Sequence, residues 1–597
     1  MKQQIFYSVV DFFRKSSGLD IRDTLFISQA LFLWLKLTDE EQLDEDESFQ
    51  GSENISEHFE KFIHIFYDGY KYATRRPLKL DDESLNALVE KIKGALDKGL
   101  ITYFEVVEIA FQMSLNEGRF EINAPNELVE LGCGLIDGEV RDVYCPFSAS
   151  YRFAEALGLE GKECYLEVNN VFDHAWIKIS YELKDLKHYR ELLASDPVTS
   201  PVLIDNSGLR QFSHTIALPP FGVKYPKDVA TSDMFGRFPE KSLMGEVLQL
   251  RHMLAQTSEQ IVTFVASGFL SRTAAGEKQF KQDMIKQGLL HAVIALPEKL
   301  FNNTAIPVNA LIFDKRKKAE SVLFIDASGE HFIKKEGKRN VLNNISEIIS
   351  LYHGDEDAFI EYNNPCGLLD LAVHASPEEI IKNDFNLLPS RYVLSHEQKE
   401  LNRFLANNET IALADIAELI GPQAIKDEMD GEAIFYEYGL SNLNDIGEFV
   451  GEGKTVTTNS QISRAENQIL QENDILIVNK GSVGKVAFVE QVPAENAMPS
   501  QAFTIVRVNR RLSDIEPVAL FQYLLSPMGQ LQLESMATGV TVTMIGTKDL
   551  KNMRIPVFSQ QQTEEARQRR NKVKQLHNQL FEIEQEIKQL NHKNWVN

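Results

Sequence analysis

The sequence predicts a multidomain α/β protein in which a helical region, a doubly wound sheet, a smaller α/β module and one long helix follow one another. Apolar residues recur at three- and four-residue spacings through residues 6–114, which is typical of helices. Short apolar runs then alternate with helical patterns, and the last forty residues show one uninterrupted helical pattern. At 597 residues the chain is long enough for three or four domains.

Composition limits the classes of function. The formal net charge of -25 argues against a protein that coats nucleic acid generally, although one basic face can still bind DNA locally. The four cysteines are scattered without a CxxC pair, which favours a reduced, cytoplasmic setting and indicates no metal site. The longest apolar stretch, residues 25–37, is too short and too interrupted to span a bilayer, so we expect no membrane partner. No signal peptide is recognisable.

Residues 1–117 are predicted to form a helical N-terminal domain. Phe26, Ala30 and Leu33 illustrate the helical spacing, and residues 25–37 are better explained as a buried helix. An acidic stretch at residues 38–53 has the composition of a solvated loop.

Two turns that follow short predicted strands stand out in residues 118–396. A strand over residues 140–144 leads into CPFSASY at residues 145–151, where a helical pattern starts. A second apolar run, residues 215–217, leads into LPPF at residues 218–221. The spacing between these turns fits a doubly wound α/β sheet.

Both turns resemble loops of N6-adenine DNA methyltransferases, and residues 1–393 resemble the methylase subunit of type I restriction-modification systems almost element by element. In that family an Asp-Pro-Phe-Cys-Gly-Ser-Gly-like loop closes on S-adenosylmethionine. An Asn-Pro-Pro-Phe loop holds the flipped-out adenine. The adenine amino group donates hydrogen bonds to the Asn carboxamide oxygen and to the backbone carbonyl of the proline that follows. The resemblance implies a Rossmann-like methyltransferase domain over residues 118–396.

The residues that perform the chemistry differ from the family pattern. The catalytic motif is degenerate because Leu218 replaces the Asn, while Pro219, Pro220 and Phe221 remain. The cofactor motif is also degenerate: Cys145 replaces the Asp, Ala149 and Tyr151 replace glycines, and Pro146, Ser148 and Ser150 complete the loop. Glu163 is expected where the family has an acidic residue that holds the cofactor ribose. A leucine accepts no hydrogen bond, and a tyrosine adds bulk where glycine is needed, so we expect no cofactor.

Residues 397–560 are predicted to form a second α/β module with short apolar strands and glycine-containing turns. The strands are expected at residues 475–478, 486–489 and 503–508. This order of segments resembles one target-recognition domain of a type I specificity subunit. Gly-Ser-Val-Gly-Lys at residues 481–485 lacks the full phosphate-loop pattern and is better explained as a connection between two strands.

Basic residues cluster in this module and are the candidate DNA-binding set, because lysine and arginine neutralise phosphates. The set comprises Lys480, Lys485, Arg507, Arg510, Arg511, Lys548, Lys551 and Arg554. Which of these side chains contact bases is left open.

Residues 561–597 are predicted to form a coiled-coil-like spacer helix. Six apolar residues at alternating three- and four-residue spacing, the seam, define one face: Val573, Leu576, Leu580, Ile583, Ile587 and Leu590. Either two copies pair through the seam, or it packs on the N-terminal domain of its own chain.

Together these patterns predict a sequence-specific, double-stranded-DNA-binding component of a restriction-modification-like or phage-defence system. Its adenine-N6 methyltransferase fold is expected to be inactive, which makes the chain a pseudoenzyme. The expected partners are a second copy of the chain and further nuclease, translocase or other defence subunits. Two alternatives stay open: an active enzyme that uses S-adenosylmethionine with a variant site, and an assembly scaffold that never contacts DNA.

Overall fold

The structure is a computed structural model that describes two compact units, Met1–Val393 and Leu394–Asn597. It describes residues 1–592 except for residues 18, 46, 50–53, 67–77, 117–123, 187–188, 207, 241, 303, 338, 355–367, 510–513 and 539–543. Among the residues described, no helix is long and apolar enough to cross a membrane.

The first unit begins with a layer of helices, as the spacing of apolar residues predicts. These helices are α1 (Lys2–Ser17), α2 (Ile21–Asp39), α3 (Ile55–Phe66), α4 (Asp82–Asp97) and α5 (Tyr103–Asn116). Helix α2 starts at an aspartate cap, where the Asp20 carboxylate accepts a hydrogen bond of 3.0 Å from the Asp23 amide. Its residues from Thr24 to Thr38 are all buried, so the apolar stretch forms the central helix of this layer.

The rest of the first unit is a mixed sheet with helices on both faces. The strands and strand pairs of this part are β1 (Asp142–Pro146), β2 (Glu163–Val168), β3 (Tyr189–Ala194), β4 (Ile204–Asp205), β5 (Gly208–Leu209), β6 (Phe212–Ala217), β7 (Thr257–Ala266), β8 (Leu290–Ala295), β9 (Val308–Asp314), β10 (Val322–Asp326), β11 (Ile333–Glu336), β12 (Arg339–Leu342) and β13 (Ala372–Ala375). The helices are α6 (Asn126–Gly134), α7 (Tyr151–Leu159), α8 (Val171–Leu183), α9 (Lys227–Thr231), α10 (Gly245–Gln256), α11 (Ser267–Ser271), α12 (Ala275–Gln287), α13 (Ile345–His353) and α14 (Pro377–Lys382).

Nine of these strands form one sheet in the order β13-β10-β8-β9-β7-β6-β1-β2-β3. Strands β3, β2, β1, β6 and β7 are parallel to their neighbours in that series, whereas β9 is antiparallel to both β7 and β8. Consecutive residues of a strand face opposite layers: Ile216 lies in one buried apolar cluster and Ala217 in the other. The prediction of a doubly wound α/β sheet is therefore confirmed.

The predicted element boundaries differ from the observed ones by a few residues. The strand expected at residues 140–144 runs from Asp142 to Pro146, because its pairing with β2 continues through Cys145 and Pro146. The shift places these two residues inside the strand and leaves the turn to start at Phe147.

Among its described residues, the second unit contains a four-stranded sheet, a three-stranded sheet, two two-stranded sheets, several short helices and one long helix. Its strands are β14 (Thr410–Ala412), β15 (Ala417–Ile420), β16 (Ala433–Tyr438), β17 (Lys454–Thr458), β18 (Ile475–Val478), β19 (Val486–Phe488), β20 (Ala497–Pro499), β21 (Phe503–Val508), β22 (Ala537–Thr538), β23 (Met544–Ile545) and β24 (Arg554–Pro556). Its helices are α15 (His396–Asn407), α16 (Leu413–Ile416), α17 (Ile462–Glu466), α18 (Pro517–Leu525), α19 (Pro527–Met536), α20 (Thr547–Asn552) and α21 (Gln560–His592).

The two larger sheets of this unit have the orders β15-β21-β18-β19 and β17-β16-β20, and β14 pairs with β24 and β22 with β23. Strands β18 and β21 coincide with the predicted strands at residues 475–478 and 503–508. The Gly-Ser-Val-Gly-Lys segment joins the antiparallel pair β18 and β19 as a hairpin turn, with Gly481 and Gly484 at φ values of 86° and 92°. The interpretation of this segment as a strand connection is confirmed.

Helix α21 has 33 residues and is fixed to the second unit near its start. The Arg570 guanidinium is almost fully buried, donates to the Ile446 carbonyl at 2.6 Å and pairs with Glu448 and Glu490 at 2.8 and 2.6 Å. Beyond this contact the seam is exposed to solvent, and its residues from Leu576 to Leu590 are between 51% and 59% exposed. The predicted long helix is present, and its apolar face is uncovered in the single chain.

Candidate functional site

The first candidate site lies at the carboxyl ends of the parallel strands in the first unit. Strand β1 has β2 on one side and β6 on the other, so the strand order reverses between β1 and β6. Loops that leave the sheet at such a reversal form the crevice in which α/β proteins bind nucleotides. The turns predicted as cofactor and catalytic motifs are the loops that follow β1 and β6.

The loop after β1 is tied to the loop after β6 by one hydroxyl group. Ser150 Oγ donates a hydrogen bond to the Pro146 carbonyl and accepts one of 3.0 Å from the Leu218 amide. At the start of this loop Phe147 is fully buried and adopts φ 72°, a left-handed conformation that glycine tolerates best. The two loops of the crevice are therefore held together by the chain itself.

The residues that replace the family's functional groups contribute to the apolar interior. Cys145, Ala149, Tyr151 and Leu218 all lie in the same buried cluster, with exposures of 0%, 8%, 2% and 1%. Burial raises the pKa of the Cys145 thiol far above its usual range. Pro146 ends β1, and Ser148 is buried at the first position of a short 3₁₀ turn. None of the substituted side chains supplies a charged or strongly polar group to the crevice.

The Pro-Pro-Phe turn keeps its backbone anchor without its catalytic side chain. Leu218 and Pro219 are buried, and Pro220 and Phe221 are half-buried. Gln249 Nε2 donates to the Pro220 carbonyl at 3.1 Å, and the Phe221 ring packs edge-to-face on Phe301 at 6.2 Å. The turn is thus well fixed, although position 218 offers no side-chain acceptor to an amino group.

Glu163 does not lie where the ribose-binding prediction requires. It is the first residue of β2, at the amino end of the strand and therefore at the opposite edge of the sheet from the crevice. Its partly exposed carboxylate pairs with Arg190, whose Nε donates at 3.0 Å. The assignment of Glu163 to the cofactor site is corrected by this geometry.

Glu167, which the sequence analysis did not single out, is the acidic residue at the carboxyl end of β2. Its buried carboxylate accepts two hydrogen bonds of 2.7 Å, one from the Tyr144 hydroxyl and one from the Val202 amide. Burial raises the pKa of Glu167 to about 7, against the effect of these two donors. Both oxygens are already used within the protein.

The Tyr144 hydroxyl connects Glu167 to a longer series of buried hydrogen bonds. His252 Nε2 lies 2.8 Å from this hydroxyl, and His252 Nδ1 lies 2.8 Å from an Arg237 guanidinium nitrogen. Since arginine can only donate, Nδ1 accepts, Nε2 carries the proton, and the Tyr144 hydroxyl donates to Glu167. Burial, with the nearby Arg237 charge, lowers the pKa of His252 well below its usual range, which keeps this imidazole neutral. The donor-to-acceptor direction of these hydrogen bonds therefore requires an acceptor at position 167.

Asn169 is a second residue that the sequence analysis missed. It directly follows β2. Its side-chain Oδ1 accepts a 3.0 Å hydrogen bond from the Ser148 backbone amide, and its backbone amide donates to Ser148 Oγ at 3.2 Å. Its Nδ2 donates to Asp196 at 3.4 Å. In the sequence, these two residues could have been found only by their position around the carboxyl end of β2, with Glu167 just before it and Asn169 just after it.

The second candidate site consists of the basic residues of the second unit. Lys480 and Lys485 flank the β18–β19 turn, Lys548 and Lys551 lie on α20, and Arg554 begins β24. All five are exposed. Arg510 and Arg511 lie outside the described residues.

Arg507 differs from the other members of the predicted DNA-binding set. Its guanidinium makes two hydrogen bonds of 2.8 and 2.7 Å to the buried carboxylate of Asp474 and one of 3.0 Å to the Ile469 carbonyl. A guanidinium held in this way is not available to a phosphate, so we remove Arg507 from the candidate DNA-binding residues. Within the described ranges, no group of three His, Cys, Asp or Glu side chains could hold a metal ion.

Two protein families match successive parts of the chain. Residues 181–401 match the family described as N-6 DNA Methylase. Residues 406–591 match the family described as Type I restriction modification DNA specificity domain.

Individual relatives match shorter parts. The type I restriction enzyme MjaVII methylase subunit of Methanocaldococcus jannaschii is 30% identical over 309 residues, 47% of this chain and 50% of that protein. The HindI methylase subunit of Haemophilus influenzae is 32% identical over 158 residues, 25% of this chain and 34% of that protein. The chain thus spans half, or about a third, of the length of these relatives. A solved type I methyltransferase subunit from Streptococcus thermophilus aligns with a TM-score of 0.44 and 16% identity over 65% of this chain and 98% of that one. The chain therefore joins, in one polypeptide, an N-6 DNA methylase domain and a type I restriction modification DNA specificity domain.

Proposed function

We propose that the protein is a sequence-specific DNA-binding component of a restriction-modification-like defence system, and that its methyltransferase fold no longer transfers methyl groups. The observation that supports the loss of activity is the burial of Cys145, Ala149, Tyr151 and Leu218 in one apolar cluster at the carboxyl ends of β1 and β6. There Leu218 replaces the expected Asn, and Ser150 bonds to the backbone of both loops.

Catalysis fails in this proposal because the adenine amino group finds no side-chain acceptor at position 218. Removing one preorganised hydrogen-bonding group from an active site typically lowers the rate by about 10²- to 10³-fold. The carboxylate of Glu167 adds a second loss, since it is fully buried and already accepts hydrogen bonds from Tyr144 and Val202. A third loss comes from Tyr151, a buried tyrosine at a position where the family has a glycine. S-adenosylmethionine is accordingly not a cofactor of this chain.

Calorimetry with S-adenosylmethionine tests this part of the proposal. We expect no binding tighter than about 100 μM, which corresponds to roughly 5.5 kcal/mol of binding free energy. Methyl incorporation into mixed-sequence duplex DNA should also be absent, and Leu218→Asn alone should not restore it because the cofactor loop is unchanged. Tighter binding, or incorporation above that of a no-protein control, would support the alternative of an active enzyme with a variant site.

DNA binding is assigned to the second unit because its exposed basic side chains lie within the match to the specificity family. We propose that Lys480, Lys485, Lys548, Lys551 and Arg554 contact phosphates, and that loops of the same unit contact bases. Salt-dependent binding to duplex DNA tests this assignment. A protein that assembles with other subunits but binds no duplex would instead be a scaffold.

We further propose four functional regions: residues 1–117, 118–396, 397–560 and 561–597. The last region would pair two copies of the chain through the seam, since five of its six apolar residues are exposed in the single chain. Nuclease or translocase subunits of the same defence system would complete the assembly.

A further inference from the structure

An exposed methionine, Met544, lies among the basic residues of the second unit. It is the first residue of β23, and 46% of its surface is exposed. A single exposed apolar side chain indicates no function, because folded proteins expose many such side chains. Met544 differs because of the side chains beside it, and these follow from the way in which its backbone is paired.

The backbone of Met544 is paired on both sides. It pairs in antiparallel orientation with Thr538 of β22 and, on its other side, with Lys480 at the start of the β18–β19 turn. The next residue, Ile545, donates its amide proton to the Asn479 carbonyl at 3.0 Å. Residues that are directly opposite in an antiparallel pair point to the same face, with their Cβ atoms about 5 Å apart. The Lys480 side chain therefore lies beside Met544.

Alternation along the two paired segments separates an exposed face from a buried one. Asn479 and Ile545 point inward and are 6% and 1% exposed. Lys480 and Met544, one residue away in each segment, are both exposed. The position of the methionine on the outer face is thus set by strand pairing.

Lysines surround Met544 on this outer face. Lys480 is opposite it, and Lys548 and Lys551 follow on α20. All three lysines are exposed. Lysine is depleted in protein–protein interfaces, whereas phosphates attract it. Charge complementarity therefore favours a nucleic-acid duplex over a protein as the molecule that covers Met544.

We propose that Met544 packs against the C5 methyl group of a thymine in the major groove of bound DNA, while Lys480 contacts a neighbouring phosphate. This inference rests on the DNA binding that is proposed above for the second unit. Methionine donates no hydrogen bond, and thymine is the base that presents an apolar group, its methyl, in the major groove. Against any other base, Met544 would leave polar groups of the base edge without partners, which weakens binding.

Groove dimensions agree with this assignment. Met544 and Lys480 are carried by paired extended segments, and a pair of such segments fits the major groove, which is about 12 Å wide. The minor groove is only about 6 Å wide and presents no methyl group. A preference for thymine that depends on its methyl group is therefore the signature of the proposed contact.

Uracil substitution tests the proposal, because deoxyuridine differs from thymidine only by this methyl group. The site is first selected from random duplex DNA with the full-length protein, and each thymine is then replaced in turn. At one position the replacement should weaken wild-type binding about fourfold, the value of one buried methyl group. Met544→Ala should bind the thymine and uracil duplexes equally. Met544→Leu should keep most of the preference, because leucine is also apolar.

Two control variants separate the methyl contact from other interactions. Met429→Ala removes a fully exposed methionine of the same unit, which lies between the acidic residues Glu428 and Asp430. These carboxylates repel phosphates, so this variant should keep the wild-type preference for thymine. Lys480→Ala should lower the slope of log K against log salt by about 0.9 and should also keep the preference.

Two results would overturn the methyl contact while the proposed DNA binding stands. One is a selected site without thymine. The other is a Met544→Ala protein that discriminates thymine from uracil as the wild type does at every position, or that loses affinity equally on both duplexes, as removal of a wedge between base pairs would cause. A full-length protein that binds no duplex contradicts the proposed function itself, and this inference fails with it.

Discussion

Glu167 shows how one buried carboxylate can make the stability of the first unit depend on pH. Its folded-state pKa of about 7 lies above the ordinary 4.5, so the folded protein holds this proton more tightly than the unfolded chain does. The contribution to stability is then fully present below pH 4.5 and is lost as pH rises through 7. The expected loss is about 3 kcal/mol, from roughly 1.4 kcal/mol per pKa unit.

The variant Glu167→Gln provides the reference, because glutamine does not titrate. The difference in unfolding free energy between wild type and this variant should shrink by about 3 kcal/mol between pH 4.5 and pH 8 in denaturant titrations. Glu163→Gln is the matched control, since that partly exposed residue is paired at the other end of the same strand. Parallel pH profiles for wild type and Glu167→Gln would contradict the prediction.

Arg507 and Lys485 should separate stability from DNA binding. Arg507→Ala leaves the buried carboxylate of Asp474 without its partner and should destabilise the second unit by about 3 kcal/mol. Lys485→Ala should leave the melting temperature unchanged. It should lower the slope of log K against log salt by about 0.9, the value expected for one lost phosphate contact.

Melting curves and fluorescence anisotropy at several salt concentrations measure both effects. Suppose instead that Arg507→Ala melts like the wild type and lowers the slope of log K against log salt by about 0.9. Arg507 would then belong to the DNA-binding set.

At the residue scale, chemical identity was predictable and position was not. The leucine at 218 and the tyrosine at 151 could be identified as departures from a motif because both turns are recognisable in the sequence. Strand β2 contains Glu163 and Glu167, four residues apart, and only the strand boundaries show which one lies at the crevice. The pairing of Arg507 with Asp474 depends on the separate strand β21 and could not be predicted from composition.

At the element scale, periodicity predicted most helices and strands, and pairing set their ends. Strand β21 was predicted to the residue because residues 503–508 are rich in aromatic and β-branched side chains. Strand β1 ends two residues later than expected because β2 continues to pair with it. The attachment of α21 was not predictable. Both of its carboxylate partners, Glu448 and Glu490, lie at least 80 residues before Arg570 in the sequence.

That attachment gives a prediction for the long helix. Arg570→Met removes the ion pairs with Glu448 and Glu490 and leaves both carboxylates to Lys574 alone. The start of α21 should then detach more often, at a free-energy cost of about 2–4 kcal/mol. Hydrogen exchange of residues 563–574 should become faster, while β18 and β21 keep their protection.

Arg569→Met is the control, because Arg569 is exposed on the same helix. Equal exchange in the Arg570→Met and wild-type proteins would mean that apolar packing alone holds the helix.

At the scale of the whole molecule, the proposed DNA recognition rests on the match of residues 406–591 to the specificity family, and the seam would bring two such units together. The chain has one match to the specificity family, and the described residues include one helix of 33 residues, α21. A symmetric antiparallel pair would present two identical recognition units, so its preferred DNA should contain two inverted half-sites. In an antiparallel pair that aligns position 573 of one copy with position 590 of the other, the two Arg570 anchors would lie roughly 35 Å apart along the helices, at about 1.5 Å per residue.

Selection from random duplex DNA with the full-length protein therefore should yield an inverted repeat with one fixed gap. The half-site centres should be about one turn of B-DNA apart or a whole number of turns, because both units must face the same side of the duplex. A protein ending at residue 560 lacks the seam and should select a single half-site with lower affinity. Light scattering should show two copies for the full-length protein and one for the shortened protein. A full-length protein that stays monomeric with and without DNA, or selects only one half-site, would rule out the paired arrangement while leaving the DNA-binding assignment of the second unit intact.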